Sequence, residues 1–105
     1  MSAFSPAGLL ALSGVLLAIG LFGILTRRNF ILLLISIEIA INAAVLNFVY
    51  FAAFAGSSTG LTGQAIAVVV IGLAATEVAV GLAIVLALNR LRGSINVAEA
   101  ATLKL

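Results

Sequence analysis

Two carboxylates stand in stretches that otherwise hold almost nothing but apolar side chains. Glu38 lies in Ile35-Ser36-Ile37-Glu38-Ile39-Ala40-Ile41-Asn42, and Glu77 in Ala74-Ala75-Thr76-Glu77-Val78-Ala79. A charged side chain at the centre of a membrane span costs about 3 kcal/mol even on permissive scales, so such residues usually mark ion or proton pathways. Taking a carboxyl out of water disfavours its anion. A group that loads and unloads a proton under small changes of field suits a relay. Glu38 and Glu77 are therefore expected to transfer protons. The plainer reading makes each an interhelical hydrogen-bond anchor, or the partner of a basic residue on another subunit. Two acids at similar depth on adjacent helices favour the relay.

The surrounding chain fits a membrane setting. It has 105 residues, 65% of them hydrophobic and 8% charged, with a mean hydropathy of +1.42. Soluble domains carry about 25% charged residues. At ~20 residues per span the length allows three helices or at most four, and a fourth apolar run is missing. The expected fold is an all-α membrane protein with three transmembrane helices, in a single membrane domain over 1–105. Its helices should cover about 7–25, 30–54 and 64–88, followed by a tail over 89–105. Ser5-Pro6 suits a helix start, with proline in the first turn. The polar, glycine-rich stretch from Gly56 to Gly63 reads as a turn. Phe48, Tyr50, Phe51 and Phe54 crowd the end of the second span as an interfacial belt would.

Charge placement sets an expected orientation. Arg27, Arg28, Arg90, Arg92 and Lys104 are the basic residues, and with three spans all five fall on one side. The positive-inside rule makes that side cytoplasmic and leaves the N-terminus outside, with the C-terminus cytoplasmic. The first basic residue is Arg27, so a secretory signal peptide is not expected. There is no Cys and no His, which removes disulfides, thiolate chemistry and the usual zinc, haem and cluster ligands. No metal or cofactor site is expected in this chain. Nothing suggests nucleic-acid binding, since no basic patch has interleaved aromatics. Glu99 reads as a solvated charge in the tail.

Depth follows from counting. Glu38 is ten residues past Arg28 and Glu77 thirteen before Arg90, or ~15 Å and ~20 Å in from the edge. In a hydrocarbon core about 30 Å thick both lie near the middle. Asn42 is one turn beyond Glu38 on the same face and could support a relay or simply pack. Ala74 and Gly81 share a face with Glu77 and are small enough to leave room for a partner helix or water. Ala75, Ala79 and Ala83 form a second small-residue stripe suited to helix packing. Asn47, on the opposite side of its helix from Glu38, reads as packing. Arg27 and Arg28 read first as topology signals, with a supporting contact at the cytoplasmic edge as the functional alternative.

Thr26-Arg27-Arg28-Asn29, Ser36-Ile37-Glu38, Ile41-Asn42-Ala43 and Ala74-Ala75-Thr76-Glu77-Val78-Ala79-Val80-Gly81-Leu82-Ala83 together closely resemble the NuoK-type K-subunit family of respiratory complex I. That complex is the proton-pumping NADH:quinone oxidoreductase. The resemblance covers about Leu9 to Arg92. It implies a non-redox subunit of the translocase, set among quinone-proximal and antiporter-like membrane-arm subunits in the lipid bilayer. Glu38 and Glu77 match the family glutamates thought to carry protons or proton-coupled charge changes, and Arg27 and Arg28 its basic loop. NADH, flavin, iron–sulfur clusters and quinone would belong to partner subunits, with none bound here. The implied location is the bacterial cytoplasmic (inner) membrane as a multi-pass protein, with thylakoid or organellar membranes also open. Thr76 replaces the alanine common before the second glutamate, and its hydroxyl is expected to bond the preceding turn of backbone.

Three other classes fit less well. A small subunit of a multi-subunit cation/proton antiporter resembles this family but generally lacks the paired glutamates. A small multidrug antiporter would have four spans and an acid in the first. A rotary-ring proteolipid would have two spans and one carboxylate.

Overall fold

The computed structural model describes residues 5–54, 57–93 and 96–100. It contains helices α1 (Pro6–Thr26), α2 (Phe30–Phe54), α3 (Ser57–Arg92) and a short α4 (Val97–Ala100). The first two helices and Gly60–Arg92 are long and apolar enough to cross a membrane. Lys104 and the Glu99 side chain lie outside the described residues.

Local chemistry sets the helix starts. Ser5 caps α1 by accepting a hydrogen bond from the Gly8 amide at 3.1 Å, with Pro6 in the first turn. Such a cap satisfies an amide that the helix leaves orphaned. Asn29 plays the same part for α2, its Oδ1 accepting from the Ile31 amide at 2.9 Å and the Leu32 amide at 3.3 Å.

The stretch expected as a turn, Gly56 to Gly63, is instead helical from Ser57 onward. Glycine and serine are poor helix formers in water, but a backbone in or near a bilayer must satisfy its own polar groups, which prolongs helices. Packing adds to this. A methyl built at Gly60 or Gly63 would come within 2.6 Å of Ala52 on α2, so these glycines are packing notches. The resulting α3 has 36 residues, ~54 Å at 1.5 Å per residue. That exceeds a hydrocarbon core of about 30 Å.

The helices form a row. α1 and α3 both pack on α2, and the molecule measures 54 × 27 × 16 Å, a plate with two broad faces. At the α1–α2 seam, Gly20 faces the Ala40 backbone and Cβ, and Gly23 faces the Ser36 hydroxyl. Ser36 is buried and donates to the Leu32 carbonyl at 2.8 Å, so its hydroxyl is satisfied inside its own helix. At the α2–α3 seam the small residues Gly60, Ala67 and Ala74 are buried and Gly81 half-buried, each seven residues after the last. Seven-residue spacing keeps one stripe against a neighbouring helix.

The arginine-bearing end is tied together by backbone. Gly93 takes a positive φ of 68° and its amide bonds the Asn89 carbonyl at 2.7 Å, a left-handed helix stop that glycine takes without strain. The chain then doubles back. Asn96 bridges Asn29, and the Val97 amide donates to the Arg28 carbonyl at 2.7 Å. The α1–α2 turn and the segment after α3 thus share one end of the plate.

Candidate functional site: two carboxylates at one level

The level of each carboxylate follows from the α2–α3 register. Ala52 meets Gly63, and Leu34 meets Gly81. Eighteen residues separate the two contacts on each helix, as an antiparallel pair requires. Four residues along α2 from Leu34 lies Glu38, and four residues back along α3 from Gly81 lies Glu77. The carboxylates therefore stand at one level, near the middle of their spans.

Their surroundings differ. Glu38 is half-buried and lines a cleft of about 360 Å³ with Ile31, Leu34, Ile35 and Ile39 of α2 and Val78 and Leu82 of α3. Its Oε2 is buried with no hydrogen-bond partner among the described residues. Buried polar atoms are normally paired, and an orphaned one calls for an explanation such as a water, an ion or a functional role. Glu77 is exposed. Its shallow cleft is lined by Leu73, Thr76 and Val80, all on α3.

The two acids lie on opposite flanks of the seam. At ~100° per residue, Glu77 sits ~60° to one side of the Ala74–Gly81 stripe and Val78 ~40° to the other. Val78 and Leu82 wall the Glu38 cleft, and neither lines that of Glu77. One broad face of the plate thus carries the Glu38 cleft and the other carries Glu77.

The remaining candidates disperse. Asn42 is exposed, one turn beyond Glu38 on the same face, and no hydrogen bond joins the two. Arg27 and Arg28 are exposed at the arginine end. The Arg27 amide closes α1 on the Gly23 carbonyl at 3.0 Å. Thr76 donates to the Gly72 carbonyl at 2.9 Å, the intrahelical bond expected of it. Of the two occupants expected at Ala74 and Gly81, a partner helix or water, the partner helix is present: α2 packs there, with Ala74 3% exposed and Leu34 filling the notch at Gly81. Ala75, Ala79 and Ala83 do face outward. Asn47 is half-buried in a groove with Ala44, Phe48, Phe51, Ala52 and Gly63. Tyr50 meets Phe51 edge-to-face and Phe54 at a tilt, at centroid distances of 5.6 and 4.8 Å, at the end of α2 away from the arginines.

Val78 and Leu82 were not singled out from the sequence, although they wall the Glu38 cleft. The signal was present in the small residues Gly60, Ala67, Ala74 and Gly81. Their spacing marks the face of α3 that meets α2, and so which of its neighbours flank Glu38. Among the described residues no group of three or more His, Cys, Asp or Glu could hold a metal.

The sequence profile described as NADH-ubiquinone/plastoquinone oxidoreductase chain 4L matches residues 8–105. The chain is 52% identical to NADH-quinone oxidoreductase subunit K of Anaeromyxobacter sp. (strain K) over 88 residues, which cover 84% of this chain and 86% of that one. Against the subunit K of Bacillus mycoides (strain KBAB4), identity is 45% over 104 residues, 99% of both chains. The subunit K of Bacillus cereus (strain AH820) matches to the same extent, 45% over 104 residues. Near-complete coverage at this identity, on a chain with three span-length apolar helices, means that the protein belongs to the family of NADH-quinone oxidoreductase subunit K.

Proposed function

We propose that this chain is a proton-handling membrane-arm subunit of a proton-translocating NAD(P)H (or related donor):quinone oxidoreductase, with Glu38 and Glu77 in its proton-transfer or coupling path. The observation that carries this reading is the buried, unpartnered Oε2 of Glu38 in an otherwise apolar cleft at mid-span. An isolated buried carboxylate is costly, and proteins avoid that cost by pairing it or by letting it take a proton. Glu77 stands at the same level on the other broad face, open to whatever packs there. A proton or charge change passing from one face of the plate to the other would meet both groups. Neither acid touches the other within this chain, so waters or side chains of neighbouring subunits complete the path.

Asn42 and the Arg27–Arg28 pair support this path, Asn42 as a polar group one turn from Glu38 and the arginines at the membrane edge. The arginine end faces the cytoplasm, and the N-terminus lies outside. The membrane is the bacterial cytoplasmic membrane. Quinone-proximal and antiporter-like subunits cover the two broad faces. As the family resemblance implies, the donor, flavin, iron–sulfur clusters and quinone belong to other subunits; for the clusters, this chain also has no Cys to act as ligand.

The test uses the assembled complex in sealed membrane vesicles. Glu38→Gln keeps the shape and removes the titrating group. It should leave the complex assembled and electron transfer to an artificial acceptor intact, while donor-driven proton uptake falls about 10-fold or more, the scale of a lost acid–base group. Normal proton uptake in Glu38→Gln and Glu77→Gln, with normal assembly, rejects the proposal.

A further inference from the structure

The side of α3 turned away from α2 carries a groove that the two carboxylates do not touch. Ala83, Leu86, Ala87, Arg90 and Leu91 line it, and its volume is about 530 Å³. All five residues are exposed. Gly81 faces Leu34 of α2. Arg90, nine residues further on, is turned ~180° from Gly81 at ~100° per residue. The groove therefore lies on a narrow edge of the plate, not on either broad face. By the same rotation Ala83 and Ala87, one turn apart, form its floor, and Leu86 and Leu91 stand on its two flanks.

Depth gives the groove a polarity. Arg90 is thirteen residues from Glu77, ~20 Å along the helix axis. With Glu77 near mid-span, Arg90 stands just outside a hydrocarbon core about 30 Å thick, in the headgroup layer that brings a bilayer to about 40–45 Å. Ala83 is six residues from Glu77, ~9 Å from the middle and well inside the hydrocarbon. The groove is thus cationic at headgroup level and aliphatic for ~10 Å below it. A phospholipid has the matching order, a phosphate above an acyl chain. Glu38 and Glu77 are too deep to reach Arg90, and among the described residues no carboxylate pairs with it. Its guanidinium fork suits the two-pronged hydrogen bonding that a phosphate accepts. Arg92, by contrast, is turned only ~20° from Gly81, toward α2.

Resting on the reading that neighbouring subunits cover the two broad faces, which leaves this edge to lipid, we propose that the groove binds one anionic phospholipid. Its phosphate sits on Arg90, and an acyl chain lies over Ala87 and Ala83. Alanine at both floor positions lets the chain approach the helix closely, and a leucine at either would fill the space. Charge selects the headgroup. In a zwitterionic lipid the headgroup's own cation competes with Arg90 for the phosphate.

The experiment places the assembled complex in phosphatidylcholine vesicles doped with a photoactivatable lipid, either phosphatidylglycerol or phosphatidylcholine, carrying the same diazirine on its acyl chain. After illumination, adducts on this chain are mapped by mass spectrometry of its peptides. The phosphatidylglycerol probe should label residues 83–91 about 5-fold or more above the phosphatidylcholine probe, the size expected of one arginine near an anionic headgroup. Arg90→Gln should bring that ratio to within 2-fold of unity. Arg92→Gln should change it by less than 2-fold. Ala83→Leu, which keeps the charge and fills the floor, should lower phosphatidylglycerol labelling at least 3-fold. Equal labelling by the two probes in the wild type overturns the site, and this comparison decides alone if Arg90→Gln does not assemble. An equal fall in Arg90→Gln and Arg92→Gln also overturns it, because it marks a general attraction to the arginine end. Adducts elsewhere on α3 but none on residues 83–91 overturn it in favour of a covering subunit. Adducts on both broad faces reject the reading that subunits cover them, while the probe ratio at 83–91 still decides the site. If Glu38→Gln pumps normally while that ratio holds, the proton-carrier reading falls and the lipid site stands.

Discussion

Glu38 and Glu77 share a level in the plate and almost nothing else. The environment of Glu38 is built by this chain: two helices wall it, held close where Leu34 of α2 meets Gly81 of α3. The environment of Glu77 is one helix face, open on the side away from α2. The difference shows that one short chain can hold one acid in a cleft of its own making while presenting the other for neighbours to enclose. Substitutions within this chain should therefore tune Glu38 by geometry, whereas Glu77 should respond mainly to what packs against α3.

The largest expected break of that comparison lies at the α1–α2 seam. Gly23→Val would drive a branched side chain into Ser36. Overpacking of a tight seam typically costs 1–3 kcal/mol, and more where backbone must move. Assembled complex, measured on native gels, should fall at least 5-fold. Normal amounts would show that the α1–α2 seam is looser than the contacts imply.

A smaller effect should separate the two acids directly. Glu38→Asp pulls the carboxyl back by one methylene inside walls that cannot follow it. Glu77→Asp does the same on an open face, where a water or a partner side chain can follow. Proton uptake should fall about 10-fold or more in the first, as for a misplaced acid–base group, and about 3-fold or less in the second. Equal losses would mean that neighbouring subunits hold Glu77 as rigidly as this chain holds Glu38.

Asn42→Ala should change uptake by less than about 3-fold, since no hydrogen bond ties its amide to Glu38, and a larger loss would place Asn42 in the path through a water. Least affected should be Thr76→Val. The Thr76 hydroxyl is already bonded to the Gly72 carbonyl, and surface substitutions away from special features stay within about 0.5 kcal/mol. Thermal inactivation of the complex would check this, and a marked loss would give the hydroxyl a role at Glu77.

Much of this frame was legible in the residues. The Ser5-Pro6 start and the three apolar spans follow from local chemistry and composition. The common level of Glu38 and Glu77 follows from counting inward from the arginines, and the helix register sharpens it. The departures have one physical source. Gly56 to Gly63 resembles a turn because glycine and serine break helices in water, yet Gly60 and Gly63 are where α3 presses on Ala52. Ala74 and Gly81 leave room for a partner helix or for water, and it is the helix that takes it: they are where α2 presses on α3. A small residue in a membrane helix signals a close neighbour without naming it. Only the pattern of Gly60, Ala67, Ala74 and Gly81 assigns that neighbour. The return of the chain at Gly93 to pair Val97 with Arg28 depends on backbone contacts that side-chain patterning does not encode.

The most direct test of the central claim watches the carboxyl groups themselves. Infrared difference spectra of the assembled complex, recorded between its oxidised and reduced states, report carboxyl groups that gain or lose a proton. If Glu38 and Glu77 carry protons, Glu38→Gln should remove one component of the protonated-carboxyl band and Glu77→Gln another. A carboxyl band identical to wild type in both variants, with the complex intact and turning over, would contradict the account.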